Sequence, residues 1–121
     1  MIQKCRIYCY ETQEMIVAND YEELSELFMA LNADDSLYSE PMQSTGLYDK
    51  NDKEIFEGDI VRITMQIGKR TTTSIGAVAF DKIEVCFKIR NELGSHYVTM
   101  FHAIYFEVIG DIYRNPELVE G

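Results

Sequence analysis

Apolar and polar positions change period several times along the chain, and each change predicts an element. From Gln3 to Tyr10 the period is two. Cys5, Ile7 and Cys9 fall on one face and Arg6, Tyr8 and Tyr10 on the other, the pattern of a half-buried strand. Glu11 to Glu14 is polar enough to turn, and Met15-Ile16-Val17 returns as the second arm of a hairpin. The period then lengthens: Tyr21, Leu24, Leu27, Phe28 and Leu31 share one helical face, with Glu22, Glu23 and Glu26 opposite. Asn19 and Asp20 offer a cap, Glu23 stands three residues past Asp20 as in a capping box, and the acids of the first turn suit the positive end of the helix dipole. Asn32 is the predicted stop, and residues 33–41, ending in Pro41, read as a connecting loop.

Beyond residue 42 the pattern is of short strands and turns. Asp49-Lys50-Asn51-Asp52 is a tight reversal between Leu47-Tyr48 and Ile55-Phe56, because Asn and Asp side chains bond their own backbone. Glu57-Gly58-Asp59 is a second corner, where Gly58 can take a positive φ without steric cost. Ile60 to Met65 alternates, with Val61, Ile63 and Met65 on one face and Ile60, Arg62 and Thr64 on the other. Gln66 to Ser74, basic, hydroxyl-rich and broken by Gly68, reads as a long exposed hairpin loop. Ile75 to Phe80 forms the returning strand. Asp81-Lys82 then turns into a strand from Ile83 to Ile89, with Ile83, Val85, Phe87 and Ile89 inward. Strands at His96–His102 and Ile104–Ile109 follow a turn at 91–95, and Pro116 opens a terminal helical turn behind an Asn115 cap. Chains of this kind close into barrels or pack as sandwiches. The expectation is a single mainly β (α+β) domain over residues 1–121. Its N-terminal β-hairpin and one helix (1–42) pack on a small β-barrel portion with a C-terminal turn (43–121), SH3-like closure being one candidate.

Composition sharpens this only in places. A chain of 121 residues buries roughly two-thirds of its unfolded surface, so it can build a core without disulfides or metal. Cys5, Cys9 and Cys86 lie at no framework spacing and read as reduced thiols. There is no secretory pattern and no run near the ~20 apolar residues of a membrane span, so a cytoplasmic protein without a membrane partner is expected. The net charge of −10 is uneven. Residues 1–42 carry nine acids against Lys4 and Arg6, whereas residues 62–102 carry six bases against Asp81, Glu84 and Glu92. The total disfavours nucleic acid, whose non-specific affinity comes from neutralised phosphates. A local basic face of Arg62, Lys69, Arg70, Lys88 and Arg90 is the exception to weigh.

Catalytic and metal chemistry finds little support. Asp49, Asn51, Asp52 and Glu54 resemble a calcium loop in part, but Lys53 and Ile60 stand where oxygen ligands are needed, so turn chemistry is the better reading. His96 and His102 would lie ~20 Å apart along a strand, and Cys5 and Cys9 ~13 Å apart, too far to share an ion. Thr45-Gly46 and Gly94-Ser95 show no nucleophile-elbow pattern, and the carboxylates Asp34, Asp35, Glu57 and Asp59 sit in turns. Gly68 to Ser74 lacks the spacing of a nucleotide-binding loop. The expectation is no catalytic residue, no metal and no cofactor: a protein that is not an enzyme.

The stretch from Met42 to Val61 resembles the signature of the YopX family of phage and prophage proteins. The shared pattern is Gln-x-Thr-Gly-Leu-x-Asp-x-Asn-Gly-x-x-Ile-x-x-Gly-Asp-x-Val. The residues that carry it here are Gln43, Thr45, Gly46, Leu47, Asp49, Ile55, Gly58, Asp59 and Val61, with Asp52 departing where the family usually has glycine. Arg6 to Met15 and Phe106 to Leu118 are similar to the family's opening and closing segments. The resemblance covers most of the chain except residues 18–40 and the loop near residue 70. It implies a mainly β fold with some helix and a phage or prophage origin, hence the cytoplasm of a bacterial host, and it supplies no activity. The leading expectation is an accessory protein that binds another protein, with homo-oligomers as one form. The alternative is nucleic-acid binding through the Arg62–Arg90 face.

Overall fold

The computed structural model describes residues 4–91, 94–97 and 106–119. The described residues are mainly β, with antiparallel pairing and one α-helix, as the periodicities predict. The chain forms two compact units, Met1–Ser44 and Thr45–Gly121.

In the first unit, β1 (Cys5–Cys9) and β2 (Glu14–Ala18) make the predicted hairpin, paired from Cys5↔Ala18 to Cys9↔Glu14. The start of β3 (Met42–Tyr48) pairs along the other edge of β1, through Cys5↔Gln43 and Arg6↔Met42. With neighbours on both sides, β1 is buried on both faces, Arg6 and Tyr8 included. The expected half-buried strand is therefore a central one. The remainder of its edge is covered by the connecting segment: Ser39 N–H donates to Tyr8 O (2.9 Å), and Tyr8 N–H donates to Ser39 Oγ (2.9 Å). Helix α1 (Tyr21–Ala33) starts at Asp20, whose carboxylate accepts from Glu23 N–H at 2.8 Å. Leu27 anchors it on Ile7 and Ala18, with Leu24, Leu31 and Tyr38 around them. Tyr21, Phe28 and Met29 remain exposed, so the helix buries a narrower stripe than its apolar residues suggest.

In the second unit, β4 (Glu54–Phe56) lies beside the later part of β3. Strands β5 (Asp59–Ile67), β6 (Arg70–Asp81), β7 (Cys86–Asn91), β8 (Gly94–Tyr97) and β9 (Phe106–Asp111) form a sheet curled into a half-barrel, in the order β8-β7-β6-β5-β9. Ile55, Val61, Ile63, Val78, Ile89 and Phe106 fill its concave side, joined by Leu47, Met65, Phe87 and Val108. The register to β9 shifts between Ile60 and Val61, which leaves Ile109 as the extra residue on β9, and Ile60, on the face opposite Val61, is fully buried as well.

Three segments differ from expectation. Gln66 to Ser74 is no long loop: β5 and β6 stay paired to Ile67↔Arg70 across the two residues Gly68-Lys69. Gly68 has φ +61°, the first central position of a type II′ turn that suits strand twist, and the threonines that follow favour strand. The strand expected from Ile83 begins only at Cys86. Ile83 and Val85 point to solvent, at 94% and 71% exposure, because the Asp81 carboxylate accepts from both Ile83 and Glu84 N–H (2.9 and 3.0 Å) and closes a turn there. Pro116 does open a short 3-10 turn, but Asn115 makes no side-chain cap; its Oδ1 accepts from Asp111 N–H instead. The expected strand over 96–102 is described only to Tyr97, and residues 98–105, His102 among them, lie outside the described residues.

Candidate functional site

The signature residues hold turns. Thr45 Oγ1 donates to Ile55 O (2.7 Å) and accepts from Leu47 N–H (3.1 Å), tying β3 to β4 around Gly46, whose φ is +78°. A Cβ at Gly46 would meet nothing within 4 Å, so the backbone angle rather than space calls for glycine. Leu47, Ile55 and Val61 belong to the apolar core, while Gln43 is exposed on the strand beside β1.

Asp49 organises the first corner. Its Oδ1 accepts from Asn51 and Lys53 N–H (2.8 and 2.9 Å), and its Oδ2 reaches across to Val108 N–H on β9 (2.8 Å). Burial alone would raise its pKa. The N–H donors of Val108, Lys53 and Asn51 and the charge of Lys53 outweigh burial and hold it below the usual carboxylate value. Asp52, the departure from the family glycine, has φ +62°, a conformation Asp tolerates better than most side chains.

At the second corner Gly58 has φ +82°, and Asp59 Oδ2 accepts from Phe56 N–H at 2.7 Å. Asp59 pairs with Asp111, which sequence reasoning passed over. Asp111 is 1% exposed, accepts from Tyr113 and Arg114 N–H, and meets Arg114 Nε at 2.7 Å. Burial pushes its pKa up, but those donors and the guanidinium bring it below the ordinary value. A signal was present: Gly58-Asp59-Ile60 recurs as Gly110-Asp111-Ile112, and the two copies are neighbours in the sheet. These carboxylates are each spent on N–H groups, which describes scaffolding. Among the described residues no group of three or more His, Cys, Asp or Glu could hold a metal ion.

Three of the five basic residues share a face. Arg62 pairs with Ile75 and Glu107, Ala77 with Arg90, and Ala79 with Lys88, so alternation puts Arg62, Lys88 and Arg90 on the convex side. Each meets carboxylates there. Arg62 Nη1 lies 2.6 Å from Glu107 Oε1; Lys88 Nζ lies 2.7 Å from Glu84 and 3.4 Å from Asp81; Arg90 Nη2 lies 3.2 Å from Asp81. The basic stretch read from sequence is thus locally neutralised: Asp81 and Glu84 lie within it, and Glu107 comes from β9 outside it. Lys69 and Arg70 sit apart, exposed at the tip of the β5–β6 hairpin, with no ion pair among the described residues.

The first unit holds a different feature. A groove of about 380 Å³ runs between the C-terminal half of α1 and the segment 35–41, with Phe28, Leu31, Tyr38 and Pro41 as apolar lining and Asp35 and Glu40 as acids. No helix among the described residues is long and apolar enough to cross a membrane.

Comparison with known proteins agrees with the fold. The chain is similar to protein EF1440 from Enterococcus faecalis, whose crystal structure superposes with a TM-score of 0.56 over 99% of both chains at 24% identity. At that identity the likeness is one of fold. No curated protein matches the chain. The family model described as YopX protein matches residues 1–120, nearly the whole length, and includes the corners built on Asp49 and Asp59. The chain belongs to the YopX family.

Proposed function

We propose that this protein is a non-enzymatic phage or prophage accessory protein that works by binding another protein, using its acidic N-terminal unit. One observation carries the reading: three of the five bases that would form a nucleic-acid face are already paired with Glu107, Asp81 and Glu84. A phosphate backbone would have to compete with those carboxylates, and neighbouring acids repel it. The net charge of −10 adds to that repulsion, while nine acids against two bases in residues 1–42 suit a basic partner. Glu22, Glu23 and Glu26 are exposed on α1 and offer the steering charge.

The test is capture from phage-infected or prophage-carrying cells with wild type and with a Glu22→Gln/Glu23→Gln/Glu26→Gln variant, whose helix keeps its Asp20 cap. A specific protein is expected with wild type, with an association rate that falls in the variant and with added salt. Recovery of nucleic acid instead would point to Lys69 and Arg70 and overturn the reading.

A further inference from the structure

The groove beside α1 has the construction of a peptide-docking site. Its helix wall is held by Leu27, packed on Ile7 and Ala18. Its other wall is pinned to β1 and the residue that follows it: Tyr10 N–H donates to Leu37 O (3.0 Å), and Ser39 brackets Tyr8 through both its backbone N–H and its hydroxyl. The cleft therefore exists before anything enters it, which spares a ligand the cost of ordering a loop. Within it, Phe28 is 44% exposed although it lies on the apolar side of the helix. Leu31, Tyr38 and Pro41 extend that surface, and a space near 380 Å³ suits a few side chains better than a large cofactor.

Charge identifies the occupant. Asp35 and Glu40 are exposed at the groove, and neither has an ion pair among the described residues. They belong to a segment in which acids outnumber bases nine to two. An acidic peptide would be repelled, and a purely apolar one would leave the carboxylates unused. We infer that this groove binds a short linear segment of a partner protein in which an aliphatic or aromatic side chain is flanked by arginine or lysine. The apolar side chain packs on Phe28, Leu31, Tyr38 and Pro41, and the cation lies beside Asp35 and Glu40. The inference rests on the protein-binding function proposed above and assigns it a site and a partner chemistry.

The probe is a capped Leu-Arg-Phe-Arg peptide, compared with Leu-Glu-Phe-Glu and Gly-Arg-Gly-Arg controls. It is titrated into the full chain with two-dimensional amide NMR as the readout. The first peptide is expected to shift the amides of Phe28, Leu31, Tyr38 and Glu40 and to bind at least ~10-fold more tightly than either control. Phe28→Ala, a change at an exposed position, and the Asp35→Asn/Glu40→Gln pair should each weaken it by about 10-fold with the rest of the spectrum unchanged. Three results would overturn the inference: no saturable shift up to about 1 mM peptide, equal binding of the acidic control, or shifts centred elsewhere. Self-association that Phe28→Ala abolishes without peptide would do so too, since the groove would then belong to a second copy. Repeating the cell capture with Phe28→Ala separates the two levels. A partner retained undiminished leaves the binding function standing and removes the groove; no specific protein partner even for wild type removes the function itself.

Discussion

Replacing Asp49 tests whether the signature corner holds the second unit together. Asp49→Ala removes the acceptor for three backbone N–H groups, two in the corner and one on β9, from a residue only 5% exposed. Hydrogen bonds to a charged group contribute ~1.5–3 kcal/mol each, and a stranded buried donor costs ~1–3 kcal/mol. Asn51 and Lys53 are exposed, so water can replace most of what their N–H groups lose. Val108 is half-buried in a strand and has less recourse. The sum is about 3 kcal/mol, or a drop in melting temperature of roughly 10 °C for a chain of this size. Asp49→Asn keeps one oxygen and should lose about half as much.

The pH dependence has a definite sign. The folded carboxyl lies below its ordinary value, so on acidification the unfolded chain takes up the proton first. The stability it contributes is present above about pH 4 and is lost as pH falls through the lower folded value. Urea unfolding followed by far-UV circular dichroism should show a gap between wild type and Asp49→Asn that is constant near neutrality and closes in acid. A loss below ~0.5 kcal/mol for Asp49→Ala, the range of ordinary surface changes, would refute the reasoning. A gap unchanged down to about pH 2 would refute the protonation argument specifically.

Gly58→Val should cost at least ~2 kcal/mol in thermal melting, because φ +82° is a strained conformation for a β-branched residue. Gly76→Ala should cost ~1–3 kcal/mol in the same assay, since its Cβ would lie 2.6 Å from Ile89 Cγ2 and 2.8 Å from the Arg90 carbonyl oxygen, a backbone atom that cannot simply rotate away. Val85→Asn should raise stability by about 0.5–1 kcal/mol in urea unfolding, because Val85 is exposed and has φ +54°, which Asn tolerates better.

Which of these features the sequence disclosed follows from their range. The corners at Asp49 and Gly58 and the Asp20 cap were legible because each is made by side chains a few residues from the N–H groups they satisfy. The same local chemistry defeated the strand expected from Ile83: alternation at Ile83 and Val85 looks like a strand, but Asp81 closes a turn over those very positions. Apolar alternation and turn formation competed there, and the carboxylate won. Long-range pairing was not legible. Arg62 and Glu107 are 45 residues apart, and only strand register brings them together. The groove was hidden for a similar reason. Phe28 carries a core residue's periodicity but is 44% exposed, and the groove it lines is completed by the segment 35–41, which periodicity does not place.

The choice between a protein partner and nucleic acid is tested most directly by one titration. Fluorescence anisotropy with labelled single- and double-stranded DNA, from about 50 to 500 mM salt, reads both affinity and the number of phosphates contacted. The ion-paired convex face and the charge of −10 predict no measurable binding even at the lowest salt. Tight binding with a slope of ~0.9 per contacted phosphate, falling by about two in Lys69→Gln/Arg70→Gln at unchanged melting temperature, would contradict the account.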